Sequence, residues 1–81
     1  MYIVYILTSM TDPNRIYIGI TRDLQRRLGE HNRTLTGYCK RYAPWQVETL
    51  ITFTNIGLAE DFERYLKGGS GFAFLKKRLL P

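Results

Sequence analysis

Residues 15–32, RIYIGITRDLQRRLGEHN, change their hydrophobic period midway, and that change decides the fold. Ile16, Ile18 and Ile20 alternate with Tyr17 and Gly19, the period of two that suits a strand. Past Thr21 the apolar residues Leu24 and Leu28 recur one helical turn apart, and the spacing predicts a helix running to about Asn32. The Thr21 hydroxyl is the expected cap for its first free amides, and Asp23 suits the positive end of the helix dipole.

Working outward, Tyr2 to Thr8 (YIVYILT) is aromatic or β-branched on both alternating faces, the pattern of a strand covered on both sides. Between the two strands, SMTDPN places Asp12, Pro13 and Asn14 together, so the pair reads as a hairpin. Downstream, residues 33–44 (RTLTGYCKRYAP) keep no period and hold Gly37 and Pro44, which predicts an exposed basic loop presenting Tyr38 and Tyr42. Trp45 to Thr54 is expected as a third strand with Val47, Thr49, Ile51 and Phe53 on one face. A helix from Ile56 or Gly57 to Lys67 should bury Ala59, Phe62 and Leu66, with Glu63 on the flank of that stripe and Gly68 and Gly69 ending it. Ser70 would cap a last helix with Phe72, Leu75 and Leu79 inward and Lys76, Lys77 and Arg78 outward. The expected architecture is one α+β domain over residues 1–81, a small three-stranded antiparallel sheet flanked by helices in the order β-β-α-β-α-α.

The chain of 81 residues is 44% hydrophobic and 23% charged, too apolar for a disordered protein and near the lower limit for a self-sufficient core. Cys39 is its single cysteine, so an internal disulfide is excluded and a reducing compartment, the cytoplasm, is favoured. The opening MYIVYILTSM has neither a basic leader nor a small-residue cleavage pattern, and no run approaches the roughly 20 apolar residues of a membrane span. The net charge is +5, gathered between Arg22 and Arg41 and again at Lys76 to Arg78. Such clusters suit a polyanion, whose condensed counterions are released on binding, and equally suit a solvated surface.

Five side chains invite a chemical reading, and each has a structural one beside it. Tyr5 and Tyr17 sit inside strands, where core packing explains them. Gly19, a glycine inside a strand, marks a bulge or a place where another backbone or a ligand comes close. Arg27 and His31 lie four apart on one helical face and can approach one anion together, although a snorkelling arginine and a helix-end histidine account for them singly. Glu63 can hold a cation or simply pair with Lys67.

Taken in order, Ile3-Val4-Tyr5, Tyr17-Ile18-Gly19, a helix with Arg27 and His31, and a later helix with Glu63 form a specific pattern. Together with the phrases YIGITRDLQRRLGEHN, GYCKRY and LKGGSGFAF, it resembles the GIY-YIG nuclease family along nearly the whole chain, most of all its small free-standing members. The resemblance implies catalytic roles for Tyr5, Tyr17, Arg27, His31 and Glu63, a structural role for Gly19, and Glu63 as the ligand of one Mg²⁺ or Mn²⁺. Two departures stand out. Ile3 and Val4 replace the glycine and isoleucine of the first tripeptide, and no asparagine follows Asn55, where several family members use one.

Phosphodiester hydrolysis needs an activated water, charge stabilisation on the phosphate and help for the leaving oxygen. Under the resemblance, Glu63 holds the ion, Arg27 neutralises the charge that develops, Tyr5 positions or deprotonates water, His31 relays the proton, and Tyr17 bonds the phosphate or orients its neighbours. Arg22, Arg26, Lys40, Arg41, Lys76 and Lys77 are the expected backbone contacts. The reading is a metal-dependent endonuclease for DNA, favoured over RNA, in repair, recombination or the processing of branched or damaged structures. Two alternatives stay open: a non-catalytic nucleic-acid-binding module, and a nuclease domain that a partner protein directs to its substrate.

Overall fold

The computed structural model describes residues 1–33 and 37–81. Strands β1 (Tyr2–Ser9), β2 (Ile16–Thr21) and β3 (Trp45–Phe53) form an antiparallel sheet in the order β2-β1-β3, with helices α1 (Leu24–Arg33), α2 (Gly37–Arg41), α3 (Ile56–Leu66) and α4 (Gly69–Arg78). β1 is therefore the middle strand, and its residues from Val4 to Ser9 are all buried, as its two apolar faces require.

The sheet divides the interior in two. On one face Val4 and Ile6 pack with Ala59, Leu66 and Leu75 of α3 and α4, joined by Ile16, Ile18 and Phe53. On the other, Tyr5, Leu7 and Trp45 pack with Tyr17, Val47 and the α1 residues Leu24 and Leu28. The expectation that Val47 shares a face with Thr49, Ile51 and Phe53 fails at a β-bulge. Ile6 lies opposite Thr49, whereas the next residue, Leu7, lies opposite Val47, so Glu48 is left over. One extra residue turns Val47 and Trp45 to the α1 face and leaves the remainder on the other.

Two helix starts differ from expectation, those of α1 and α4, whereas α3 starts at Ile56 as expected. Asp23 rather than Thr21 caps α1: its Oδ1 accepts the Arg26 amide, while Thr21 Oγ1 accepts the amide of Asp23. Asn55 caps α3, its Oδ1 accepting from the Leu58 amide. Gly68, with no side chain to offer, takes the position expected of Ser70, and α4 starts one residue before that serine, at Gly69 with φ +55°. The early start brings α4 against α3 so closely that a Cβ at Gly71 would strike the Tyr65 carbonyl. The stretch expected as a loop contains the five-residue α2, and residues 34–36 of it lie outside the described residues. Tyr38 is exposed as expected, although its hydroxyl donates to the Ile16 carbonyl at 2.9 Å, whereas Tyr42 is half-buried and its carbonyl accepts from Ser9. Among the described residues, no helix is long and apolar enough to cross a membrane.

Candidate active site

Gly19 lies directly opposite Tyr5 in the β1–β2 pair, and the Tyr5 ring leans across it. A Cβ at this position would overlap the ring and hydroxyl of Tyr5, so the glycine is required by close approach. Laid over that gap, the ring delivers its hydroxyl to α1. The hydroxyl lies 3.2 Å from His31 Nε2 and accepts from Arg27 Nε at 3.4 Å. Because Arg27 and His31 are one turn apart on the helix face that Leu24 and Leu28 anchor to the sheet, one oxygen meets both.

Tyr17 completes the group. Its ring lies 4.3 Å from the His31 ring and 6.3 Å from that of Tyr5, centre to centre. Tyr5, Tyr17, Arg27 and His31 are thus brought together, with Tyr5 1% and His31 7% exposed. The Arg27 side chain, 43% exposed, leads from this buried chain to the surface, where its Nη1 donates to Glu30 at 3.1 Å.

Burial sets the protonation of the inner groups. It pushes the Tyr5 phenol above its ordinary value despite the opposing Arg27 charge. Arg27 pulls the value down, but burial outweighs it. His31 is held below the usual imidazole range, first by burial and then by Arg27, with Glu30 opposing. At neutral pH the pair is therefore a phenol facing a neutral imidazole.

Sequence reasoning missed the other side of that imidazole. His31 Nδ1 lies 3.1 Å from Cys39 Sγ, and burial raises the Cys39 thiol, which keeps it protonated. Asn32, next along α1, donates to the Trp45 carbonyl at 3.2 Å and accepts the Trp45 amide, tying the end of α1 to β3. The Trp45 indole N–H in turn donates to the Cys39 carbonyl. No periodicity links Cys39 to His31, because α2 is placed by these contacts and not by a stripe of its own.

Glu63 lies on α3, against the opposite face of the sheet. Its carboxylate, 18% exposed, accepts from Lys67 Nζ at 2.9 Å, and Lys67 borders a hollow beside Tyr17 and Ile18 at the β2 edge. Among the described contacts no hydrogen bond or ion pair joins Glu63 to Tyr5, Tyr17, Arg27 or His31. The other basic residues are dispersed. Arg22 lies over the Tyr2 ring and Arg41 over Tyr42. Arg26 is countered by Asp23 and Glu30. Lys40 and Lys77 are exposed, and Lys76 lies over Phe72.

The chain matches the GIY-YIG catalytic domain over residues 1–77. It belongs to the GIY-YIG family. A structure-specific endonuclease subunit from Talaromyces marneffei is 40% identical over 68 residues, which cover 76% of this chain and 18% of that protein. A protein of the same description from Debaryomyces hansenii is 37% identical over 73 residues, 82% of this chain and 21% of the relative. One from Malassezia globosa is 35% identical over 54 residues, 63% of this chain and 12% of the relative. This GIY-YIG chain therefore spans about a fifth or less of the length of these fungal proteins. No solved structure matches.

The donor set of the GIY-YIG chain restricts how a metal ion can be held. Among the described residues no three His, Cys, Asp or Glu side chains gather closely enough to cage one. Glu63 alone fits a small hard cation, which characteristically keeps most of its waters and takes one or two carboxylates together with substrate oxygens. Lys67, already an ammonium on that carboxylate, marks it as a place where positive charge is favourable.

Proposed function

We propose that this GIY-YIG domain is an endonuclease that hydrolyses a DNA phosphodiester with the help of one divalent ion, Mg²⁺ or Mn²⁺, anchored by Glu63. The observation that carries the reading is the hydrogen-bonded chain from Arg27 through Tyr5 to His31, with Tyr17 packed against it. The guanidinium is fixed at Nε by Tyr5 and paired at Nη1 with Glu30, and it leads from the buried chain to the surface.

Arg27 is the group that meets the scissile phosphate. Its Nε is committed to Tyr5, which sets the plane of the guanidinium, and its outer edge, where Nη1 now donates to Glu30, turns from that carboxylate to donate to developing negative charge. Tyr5, too buried to touch water itself, orients Arg27 and His31 through its hydroxyl. His31 is neutral at pH 7 and can take a proton passed along this chain. Tyr17, half-buried at the β2 edge, presents a hydroxyl to the phosphate or to the attacking water. A cation on Glu63 would supply Lewis-acid polarisation of the phosphate and stabilise the leaving oxygen. For that ion to bind, Lys67 must leave the Glu63 carboxylate.

The fungal relatives are named as subunits of structure-specific endonucleases. That name supports a structured nucleic acid as substrate, of the kind met in repair and recombination, and a partner protein that directs the domain to it. The six basic residues Arg22, Arg26, Lys40, Arg41, Lys76 and Lys77 would carry sequence-independent backbone contacts. A single cysteine with no disulfide partner supports action in a reducing compartment such as the cytoplasm.

The test incubates the protein with single-stranded, duplex and branched DNA and RNA in Mg²⁺, Mn²⁺ or chelator, alongside Arg27→Ala and Glu63→Ala. Metal-dependent cutting that falls by about 10² to 10³ in Arg27→Ala is expected, the loss typical of removing one oxyanion donor. Binding without cutting under every metal would establish the binding-module alternative, and unimpaired variants would displace the site.

A further inference from the structure

Two hollows adjoin along the exposed edge of β2. The smaller, about 300 Å³, runs along Tyr17 and Ile18 to Lys67. The larger, about 410 Å³, lies between Asn14 of the hairpin turn and Phe72 and Lys76 of α4. Ile16 and Phe72 line both, so together they make one groove that begins at Tyr17 and ends at Lys76.

The composition of this groove is specific. Its lining is mostly apolar, Phe72 is shared by the two hollows, and each hollow has one lysine, Lys67 in the smaller and Lys76 in the larger. No aspartate or glutamate lines either hollow among the described residues. An aromatic ring between two cations, beside an amide that can meet the edge of a base, is how proteins hold an unpaired nucleotide: the base stacks on the ring and the lysines take the flanking phosphates. A metabolite pocket would be more enclosed, and an apolar peptide would have no use for two ammonium groups. Volumes of this size fall in the small-ligand range of roughly 300–1,000 Å³ and leave no room for a duplex.

Resting on the endonuclease reading above, the geometry points to this groove as a subsite for an unpaired nucleotide of the DNA substrate, next to the phosphate at Tyr17. Lys76 Nζ now lies 5.1 Å from the centre of the Phe72 ring. An incoming base takes that place on the ring, and the displaced ammonium turns to the phosphate. Lys67 makes the matching move at the other end, releasing Glu63 and meeting the phosphate nearer Tyr17. The preferred substrate is then a duplex with a single-stranded extension at the cut, and the specificity comes from the unpaired strand and not from base sequence.

The experiment measures affinity in chelator, so that nothing is cut, for a plain duplex and for the same duplex carrying a single-stranded flap with 2-aminopurine at its first unpaired position. The unaltered protein binds the flapped DNA about tenfold more tightly, as one stacked base allows, and quenches the probe. Phe72→Leu keeps an apolar side chain at the position but removes the stacking face, and it abolishes both the preference and the quenching. Lys76→Gln lowers the preference severalfold and weakens the quenching. Equal affinity for the two DNAs, or a preference and quench that survive Phe72→Leu in a folded protein, would overturn the subsite even if Mg²⁺-dependent cutting is intact. A flap preference that depends on Phe72 in a protein that never cuts would uphold the subsite and reject the nuclease.

Discussion

The Tyr5 hydroxyl gives its two neighbours their geometry, and it can do so only because residue 19 has no side chain. Gly19→Ala should therefore cost about 2 kcal/mol, the usual range for overpacking a tight site, measured by urea unfolding. Combined with Tyr5→Phe, which removes the nearest clashing atom, the loss should be less than additive. At His31 the sign follows from its lowered pKa. The unfolded chain binds a proton near the ordinary value of about 6.5, and the folded chain resists it, so stability is complete above that value and falls as pH drops below it. The thermal midpoint should decline between pH 7.5 and 5.5, and His31→Gln should flatten that decline.

The elements are positioned by a few polar side chains at their ends as much as by their apolar stripes. Asn55, an exposed residue with one bond to the Leu58 amide, starts the helix that carries Glu63. Asn55→Ala should cost about 1 kcal/mol in thermal or urea unfolding, the usual loss for an N-cap, with the fold retained. Asn32 has the same task at the other end of the site, where two bonds to the Trp45 backbone hold α1 and hence His31. The stripes on α1 and α3 were legible from spacing, since a period of 3.6 appears in any window of two turns. The bulge in β3 was not, because it depends on which residue of β1 lies opposite. Likewise the cap of α1 passed from Thr21 to Asp23 by a choice between neighbouring oxygens that only the chain's path makes.

For the whole molecule, the excess positive charge predicts binding that weakens steeply with salt. Its residues should not count equally. Lys40→Gln should reduce the slope of log affinity against log salt by about one, as expected for one lost phosphate contact. Arg26→Gln should reduce it less, because Asp23 and Glu30 already counter that guanidinium. Titrating each variant against a fixed duplex at several salt concentrations checks both. With four site residues on one face of the sheet and Glu63 on the other, the β2 edge is where the two sides meet, and it is there that the groove begins.

By itself the sequence determined the order of elements apart from the short α2, the two-faced central strand and the family, because hydrophobic period and motif order are local or linear properties. It also named Tyr5, Tyr17, Arg27, His31 and Glu63, although every one had a plainer explanation alone. The tertiary structure decided what those residues can do. Packing alone made Tyr5 a buried link between Arg27 and His31, set Cys39 against the imidazole, and joined Phe72 and Lys76 to the Tyr17 edge. The physical reason is that burial and proximity arise between segments far apart in the chain, and no local pattern records them.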